Sequence, residues 1–541
     1  MKKLYVFLFL LLSTVAFSQE DAWVYFTAKT DSQSYFDAPL KMLSQRALDR
    51  RANQKIPLDL KDVPINKDYI ELVEDLAGVT VLAKSKWLNA VHVRGTQAAI
   101  NSLKTYEFVS SIDFANKSLN QTAKIASTIK AKQTNKVKNQ AKVKDTKVDY
   151  SYGSSSNQIQ MLHGDALHQQ NFTGAGIVIA VLDGGFPNVN TILPFQRLRE
   201  SKRILGGYDF VSRNANFYTG SSHGTSVLSS MAGYKENELV GTAPDASYYL
   251  FITEDNLSEN PVEESLWVEA AEQADSLGVD IINTSLGYFD YDKPAYNHTY
   301  SQMDGKTAFI SKGAEIAFSR GMIIVASAGN SGGTSEPYIA APADAASVLA
   351  IGAVTASETR ASFSSIGPSF DGRVKPDVMA QGASTVLSDE FGKISTANGT
   401  SFSSPIMAGM IACLWQAFPS KTNKEIRQLV IGSANRFTTP SSQYGYGIPN
   451  FSLALSKALA VNDIPMNYFH LYPNPTKDIV FFPENFNTGK VILYSIEGQK
   501  ILEKEISKSS EPISLQTLSN GMYIYRFESD TFSNSGKIVK Y

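Results

Sequence analysis

Three side chains that together can turn a hydroxyl into a nucleophile stand beside apolar runs in this chain: Asp183, His223 and Ser401. Ser401 lies in Asn398-Gly399-Thr400-Ser401-Phe402-Ser403-Ser404-Pro405, followed by an almost wholly apolar run from Ile406 to Trp415. A serine at a glycine-flanked turn that opens a helix exposes its hydroxyl where the free N–H groups and the helix dipole favour developing negative charge. That suits an acyl-transfer nucleophile, and equally an N-cap of a buried helix. Gly176 to Leu182 reads as a strand buried on both faces, and it ends in Asp183-Gly184-Gly185. A carboxylate there points into the crevice where open α/β sheets bind ligands. In Ser222-His223-Gly224-Thr225 a histidine starts a helical pattern. Singly, Asp183 reads as a turn residue and His223 as a cap; together with Ser401 they supply orienter, general base and nucleophile. Gly321 to Asn330 is a further buried strand whose terminal amide can donate to an oxyanion, although asparagine is also common in turns. Gly278 to Gly287 runs into Ser285-Leu286-Gly287, small enough to leave backbone open for an extended peptide.

The chain has 541 residues, 43% of them hydrophobic, enough for several cores. A net charge of −2 gives no general pull toward nucleic acid or membrane. The single cysteine, Cys413, excludes an internal disulfide and reads as a small core residue. Lys2-Lys3, the apolar Leu4 to Leu12 and Ala16-Phe17-Ser18 form an export signal with cleavage expected before Gln19, and the apolar part is too short to span a bilayer. Residues 19–115 read as a small α/β module, with strands at Trp23–Thr27, Gly78–Leu82 and Ala90–Arg94 and a helix at Ala98–Leu103. His92, in an alternating strand, is expected to be a structural or surface histidine rather than a ligand. Residues 116–154 are rich in Lys, Gln, Asn and Thr and read as a flexible basic linker. Without an aromatic residue before Tyr150 it is a poor arm for stacking on bases, so no nucleic-acid partner is expected.

Four motifs, Asp183-Gly184-Gly185, His223-Gly224-Thr225, Ala328-Gly329-Asn330 and Gly399-Thr400-Ser401, resemble those of the subtilisin-like serine peptidases and occur in that family's order. The resemblance extends over about residues 155 to 455, with Lys375-Pro376-Asp377-Val378 and Tyr444-Gly445-Tyr446-Gly447 included. It implies an α/β domain, a mostly parallel sheet with helices on both faces, in residues 155–458. It also implies that Asp183 orients His223, that His223 activates Ser401, and that Asn330 joins the Ser401 N–H in an oxyanion hole. Ser285, Leu286 and Gly287 would pair with the substrate backbone, and Ala340, where the family often has glycine, would shorten the primary pocket toward small or medium apolar side chains. Gly184, Ser226 and Ser403 depart from the usual pattern without removing a catalytic group.

The same resemblance makes the module at 19–115 an inhibitory propeptide, positioned by order rather than by motif. Tyr288 to Thr307 looks like a rim insertion, read as a plain surface loop in preference to a cation site. No cofactor is expected for catalysis, no metal ligand is assigned, and structural calcium is not readable. From residue 459, short strands at Ile479–Phe482, Val491–Tyr494 and Tyr523–Phe527 read as a small β-sandwich. With Tyr472-Pro473-Asn474-Pro475, Asn520-Gly521-Met522-Tyr523 and Lys537-Ile538-Val539-Lys540, this region resembles the C-terminal sorting domain of type IX secretion cargo. The expectation is a monomeric, self-processing endopeptidase acting on polypeptides, exported through a Gram-negative periplasm to the surface or medium. The alternative is an inactive scaffold that binds partners at the cell surface.

Overall fold

The computed structural model describes residues 19–120, 149–460, 471–482, 488–507, 511–529 and 533–541. The expected export signal and most of the expected linker lie outside them. The chain divides into two compact units at Leu459/Ala460.

The first unit opens with an antiparallel four-stranded sheet built from β1 (Gln19–Phe26), β2 (Val79–Ser85), β3 (Ala90–Thr96) and β4 (Val109–Phe114), in the order β2-β3-β1-β4. The helices that accompany it include α1 (Gln45–Asn53), α2 (Lys67–Glu74) and α3 (Gln97–Ser102). Strand alternation divides the labour of the sheet. Ala22, Val24, Val91 and Val93 join Val73 of α2 and Ile100 of α3 in a private core, whereas Trp23 packs in the core of the domain that follows. His92 is buried between Asp21 and Ser265, a structural position as expected.

The larger domain is built on seven parallel strands: β5 (Val178–Asp183), β6 (Ile204–Asp209), β7 (Ser247–Ile252), β8 (Ile281–Thr284), β9 (Ile323–Ser327), β10 (Leu349–Val354) and β11 (Val378–Gln381). Their order is β11-β10-β9-β8-β5-β7-β6. The apolar runs at β5, β8 and β9 are continuous because both faces are covered. Ile179 and Val181 face α4 (His223–Ala232) and α7 (Thr400–Ala417); Ala180 and Leu182 face α5 (Val262–Leu277) and α6 (Phe309–Ser319). Cys413 lies in the α7 core, its Sγ donating to Thr242 O at 3.1 Å.

The segment Tyr288–Thr307 is more than a surface loop. Tyr288, Tyr291, Tyr296 and Met303 are buried in the α5–α6 core. Tyr291 Oη donates to Glu264 Oε1 at 2.6 Å and His298 lies 2.9 Å from the same oxygen. Burial would raise the Glu264 carboxyl, but the adjoining His298 and the hydroxyl hold it down at about 2. An alternation of tyrosines with acidic residues concealed this buried side from a reading by polarity.

Among its described residues the second unit has one four-stranded antiparallel sheet and a separate two-stranded pair. Its strands are β12 (Ile479–Val480), β13 (Thr488–Tyr494), β14 (Lys500–Ser507), β15 (Ile513–Ser514), β16 (Gly521–Glu528) and β17 (Ser533–Lys540). Val491, Leu493, Tyr525 and Phe527 form its core with Val480 and Ile513, consistent with a β-sandwich. Strands β14 and β17, absent from the sequence reading, are the two edges of the larger sheet, and charged side chains are usual on exposed edges. Among the described residues no helix is long and apolar enough to cross a membrane.

Candidate active site

Strand β5 delivers Asp183 fully buried to the carboxyl edge of the sheet. Its Oδ1 accepts the Gly184 N–H at 2.8 Å and lies 2.8 Å from His223 Nδ1, while Oδ2 has no partner among the described residues. This bond places the proton on Nδ1 and leaves Nε2 as the basic nitrogen. The close approach depends on Gly224, where a Cβ would fall 2.3 Å from Gly185 O and 3.0 Å from Asp183 Cβ. Ser221 Oγ accepts the His223 N–H at 3.2 Å, and Thr225 Oγ1 donates to Pro187 O at 2.8 Å, fixing the first turn of α4. The Asp183 charge, opposed by burial, raises the His223 pKa above 6.5.

Ser401 is the second residue of α7, after a turn at Gly399 whose φ of +154° disfavours a side chain. Helix geometry leaves N–H groups of this first turn without helical acceptors. The hydroxyl of Ser401 donates to Ser285 O at 3.3 Å, and no hydrogen bond joins it to His223 among the described residues. Ser285 Oγ donates in return to Ser401 O at 2.8 Å, and Ser404 Oγ donates to Asn283 Oδ1 at 2.9 Å. These bonds stitch the start of α7 to the end of β8.

Asn330 is held by its carbonyl. Its Oδ1 accepts both the N–H and the hydroxyl of Thr400, each at 2.9 Å, and Thr400 Oγ1 also accepts the Gly329 N–H at 3.2 Å. The Asn330 amide N–H₂ is thereby left available beside the start of α7. Thr400, Asn283 and Ser404 were not singled out from sequence. An asparagine inside the apolar run Val279–Ile282 to Thr284 was the available signal for Asn283.

The expected pocket residues are brought together as well. Tyr288 N donates to Ala341 O at 2.8 Å, so Gly287 and Ala340 face one another; a Cβ on Gly287 would lie 3.3 Å from that of Ala340. Leu286 is half-buried, and its carbonyl accepts from Ser327 Oγ at 3.4 Å.

With respect to metals, the carboxylates of Glu254, Glu259 and Glu263 lie within 4.8 Å of one another. Burial and the neighbouring carboxylates push Glu254 well up, Glu263 to about 8 and Glu259 to about 7.

The subtilase family profile matches residues 174–447. The chain belongs to the subtilase family. Residues 21–136 match the peptidase S8 propeptide domain of Bacteroidota, and residues 470–541 match a secretion system C-terminal sorting domain. Subtilisin NAT of Bacillus subtilis subsp. natto is 30% identical over 372 residues, covering 67% of this chain and 89% of that protein. Subtilisin of Bacillus pumilus is 31% identical over 299 residues, covering 55% and 97%. Alkaline protease of Alkalihalobacillus alcalophilus is 29% identical over 300 residues, covering 55% and 68%. This subtilase is therefore a serine endopeptidase that acts on polypeptides, with its own propeptide and a type IX sorting domain that implies secretion.

Proposed function

We propose that Asp183, His223 and Ser401 form the catalytic triad and that Asn330 and the Ser401 N–H form the oxyanion hole. The observation that carries this reading is the Asp183–His223 bond at one edge of the sheet, with Ser401 and the tethered Asn330 at the facing helix start. Rotation of the Ser401 hydroxyl from Ser285 O toward His223 Nε2 lets the imidazole take its proton as Oγ attacks the scissile carbonyl carbon. The carbonyl oxygen becomes an oxyanion that accepts from Asn330 Nδ2 and the Ser401 N–H. Collapse expels the amine, which takes the proton from His223, and leaves an acyl-enzyme. Water, deprotonated by His223, then releases the acid and restores Ser401.

In this reading the substrate pairs with Ser285-Leu286-Gly287, and the Ala340 methyl favours small or medium apolar side chains before the cut. The enzyme works as a monomer, needs no cofactor for catalysis, and passes through the periplasm to the surface or medium. It also cuts its own chain between residues 115 and 155, after which the propeptide acts as an inhibitor. Expression of wild type and Ser401→Ala in a protease-deficient host tests this. The wild type is expected to yield a fragment whose N-terminus lies in that interval, and Ser401→Ala, missing one oxygen, to stay intact by mass and N-terminal sequencing. Identical processing of the two would assign the cut to another protease.

A further inference from the structure

The propeptide meets the peptidase domain in two places. Its sheet lies on the sides of α5 and α6: Trp23 stacks on Phe309 with centroids 5.2 Å apart, and Glu272 accepts from Ser85 Oγ, Lys86 N and Trp87 N. A separate segment, inserted between β1 and α2, covers the C-terminal ends of α5 and α6. Ser44 N donates to Ser276 O at 2.8 Å, and α1 then crosses Gly278, where a Cβ would lie 2.7 Å from Arg46 Cγ.

Three arginines of α1 point into that crossing. Arg46 donates to Gly278 O at 2.9 Å and pairs with Asp280. Arg50 donates to Val279 O and pairs with Asp275. Arg51 bridges Asp275 at 2.7 Å and its own Asp62 at 2.8 Å. Gln54 Nε2 donates to Gly321 O at 2.8 Å, beyond the end of α6, and Arg320 returns a pair to Asp59 at 2.8 Å. The side chains of Arg50, Arg51 and Asp275 are 5%, 2% and 0% exposed.

Carbonyls at a helix C-terminus attract cations. Here two acidic residues of the peptidase domain reinforce that attraction, and Asp280 Oδ2 also accepts the Val178 N–H at 2.9 Å, at the first residue of β5. We propose that Asp275, Asp280 and the open carbonyls around Gly278 form a docking socket for an arginine-bearing helix. The socket, occupied by α1, holds the propeptide on the peptidase domain after the linker is cut. Removal of one member of a buried pair strands the other without solvent, so the hold should be concentrated in Arg50 and Arg51. Arg46, 43% exposed, should contribute less.

The proposal assumes that the propeptide is separated from the enzyme, but its test does not depend on self-cleavage. The full chain is made with Ser401→Ala and with a site for an unrelated sequence-specific protease placed within residues 121–148. After that protease has cut it, loss of the propeptide fragment on dilution is followed by size exclusion. Circular dichroism before cutting confirms the fold of each variant. Arg50→Met and Arg51→Met are expected to speed dissociation roughly a hundredfold or more, Asp275→Asn similarly, and Arg46→Ala about tenfold. In a double-mutant cycle, Arg46→Ala with Asp280→Asn should lose little more than Arg46→Ala alone. If Arg50→Met does not fold, the partly exposed Arg46→Ala still decides the matter. Dissociation of Arg46→Ala and of every folded Arg50 or Arg51 variant within twofold of the parent would overturn the socket.

Discussion

The two edges of the seven-stranded sheet carry polar groups of opposite habit. At the carboxyl edge, among the described residues, Asp183 Oδ2 has no partner, His223 Nε2 and the Asn330 amide N–H₂ remain available, and Ser401 makes one long bond to a backbone carbonyl. At the amino edge, Asp275 meets two guanidinium groups and Asp280 meets one together with a strand N–H, so every carboxylate there is paired, although Nε of Arg50 and of Arg51 has no partner among the described residues. Donors and acceptors left open cost stability unless a substrate or transition state completes them, whereas matched groups resist separation. On the readings proposed above, the contrast separates the edge that reacts from the edge that holds the propeptide.

The largest disruption at the reacting edge is expected from Asp183→Asn. An amide there can donate to Nδ1 and favour the wrong imidazole tautomer, so kcat/KM should fall about 10⁴-fold. The pH profile sharpens the point. The proposed mechanism needs neutral His223, whose pKa the Asp183 charge raises above 6.5, so activity should be lost as pH falls through a midpoint above 6.5. The midpoint should move down in Asp183→Asn. A parent midpoint at or below 6.5, measured as kcat/KM, would contradict this coupling. Next in size is Asn330→Ala. Its amide is placed to meet an oxyanion that exists only during reaction, so kcat should fall by roughly 10²- to 10³-fold with little change in KM. A loss confined to KM would instead make Asn330 a substrate-binding group.

The reacting edge was the more legible of the two. Asp183, His223 and Ser401 each sit where a short local pattern changes, at the end of an apolar strand or the start of a helix, and Ser285, Leu286 and Gly287 likewise follow an apolar strand, whereas Ala340 was reached only through the family resemblance. The bonds that hold them, such as Thr400 to Asn330 across 70 positions, depend on packing that no local window contains. The holding edge was not visible at all. Arg50 and Asp275 are 225 positions apart, and a helix with arginines at 46, 50 and 51 reads as a solvated face until its partner is known. The same reasoning explains the missed edge strands β14 and β17. Their charged residues obscure the strand pattern, and pairing to β13 and β16 decides the structure.

A last prediction tests whether the sheet side of the propeptide interface also responds to pH. Glu272, on α5, is buried beneath β2 and the turn after it. Burial raises its carboxyl to about 7, against the lowering effects of Lys86, the Ser85 hydroxyl and the backbone N–H groups of Trp87 and Lys86. If removal of the propeptide returns Glu272 to water and to its ordinary value of 4.5, the bound form holds its proton more tightly than the free form. The raised pKa then contributes to docking fully below pH 4.5, and that contribution is lost as pH rises to about 7. A shift of this size corresponds to about 3 kcal/mol, on the order of a hundredfold in affinity. Other charged groups lie at the contact, so the parent profile alone does not isolate Glu272. The comparison with Glu272→Gln does, because the amide cannot ionise. Propeptide affinity measured in the same cut chain between pH 4.5 and 8 should therefore fall more steeply for the parent than for Glu272→Gln. Parallel profiles would remove Glu272 from the pH response and leave the hold to the arginines of α1.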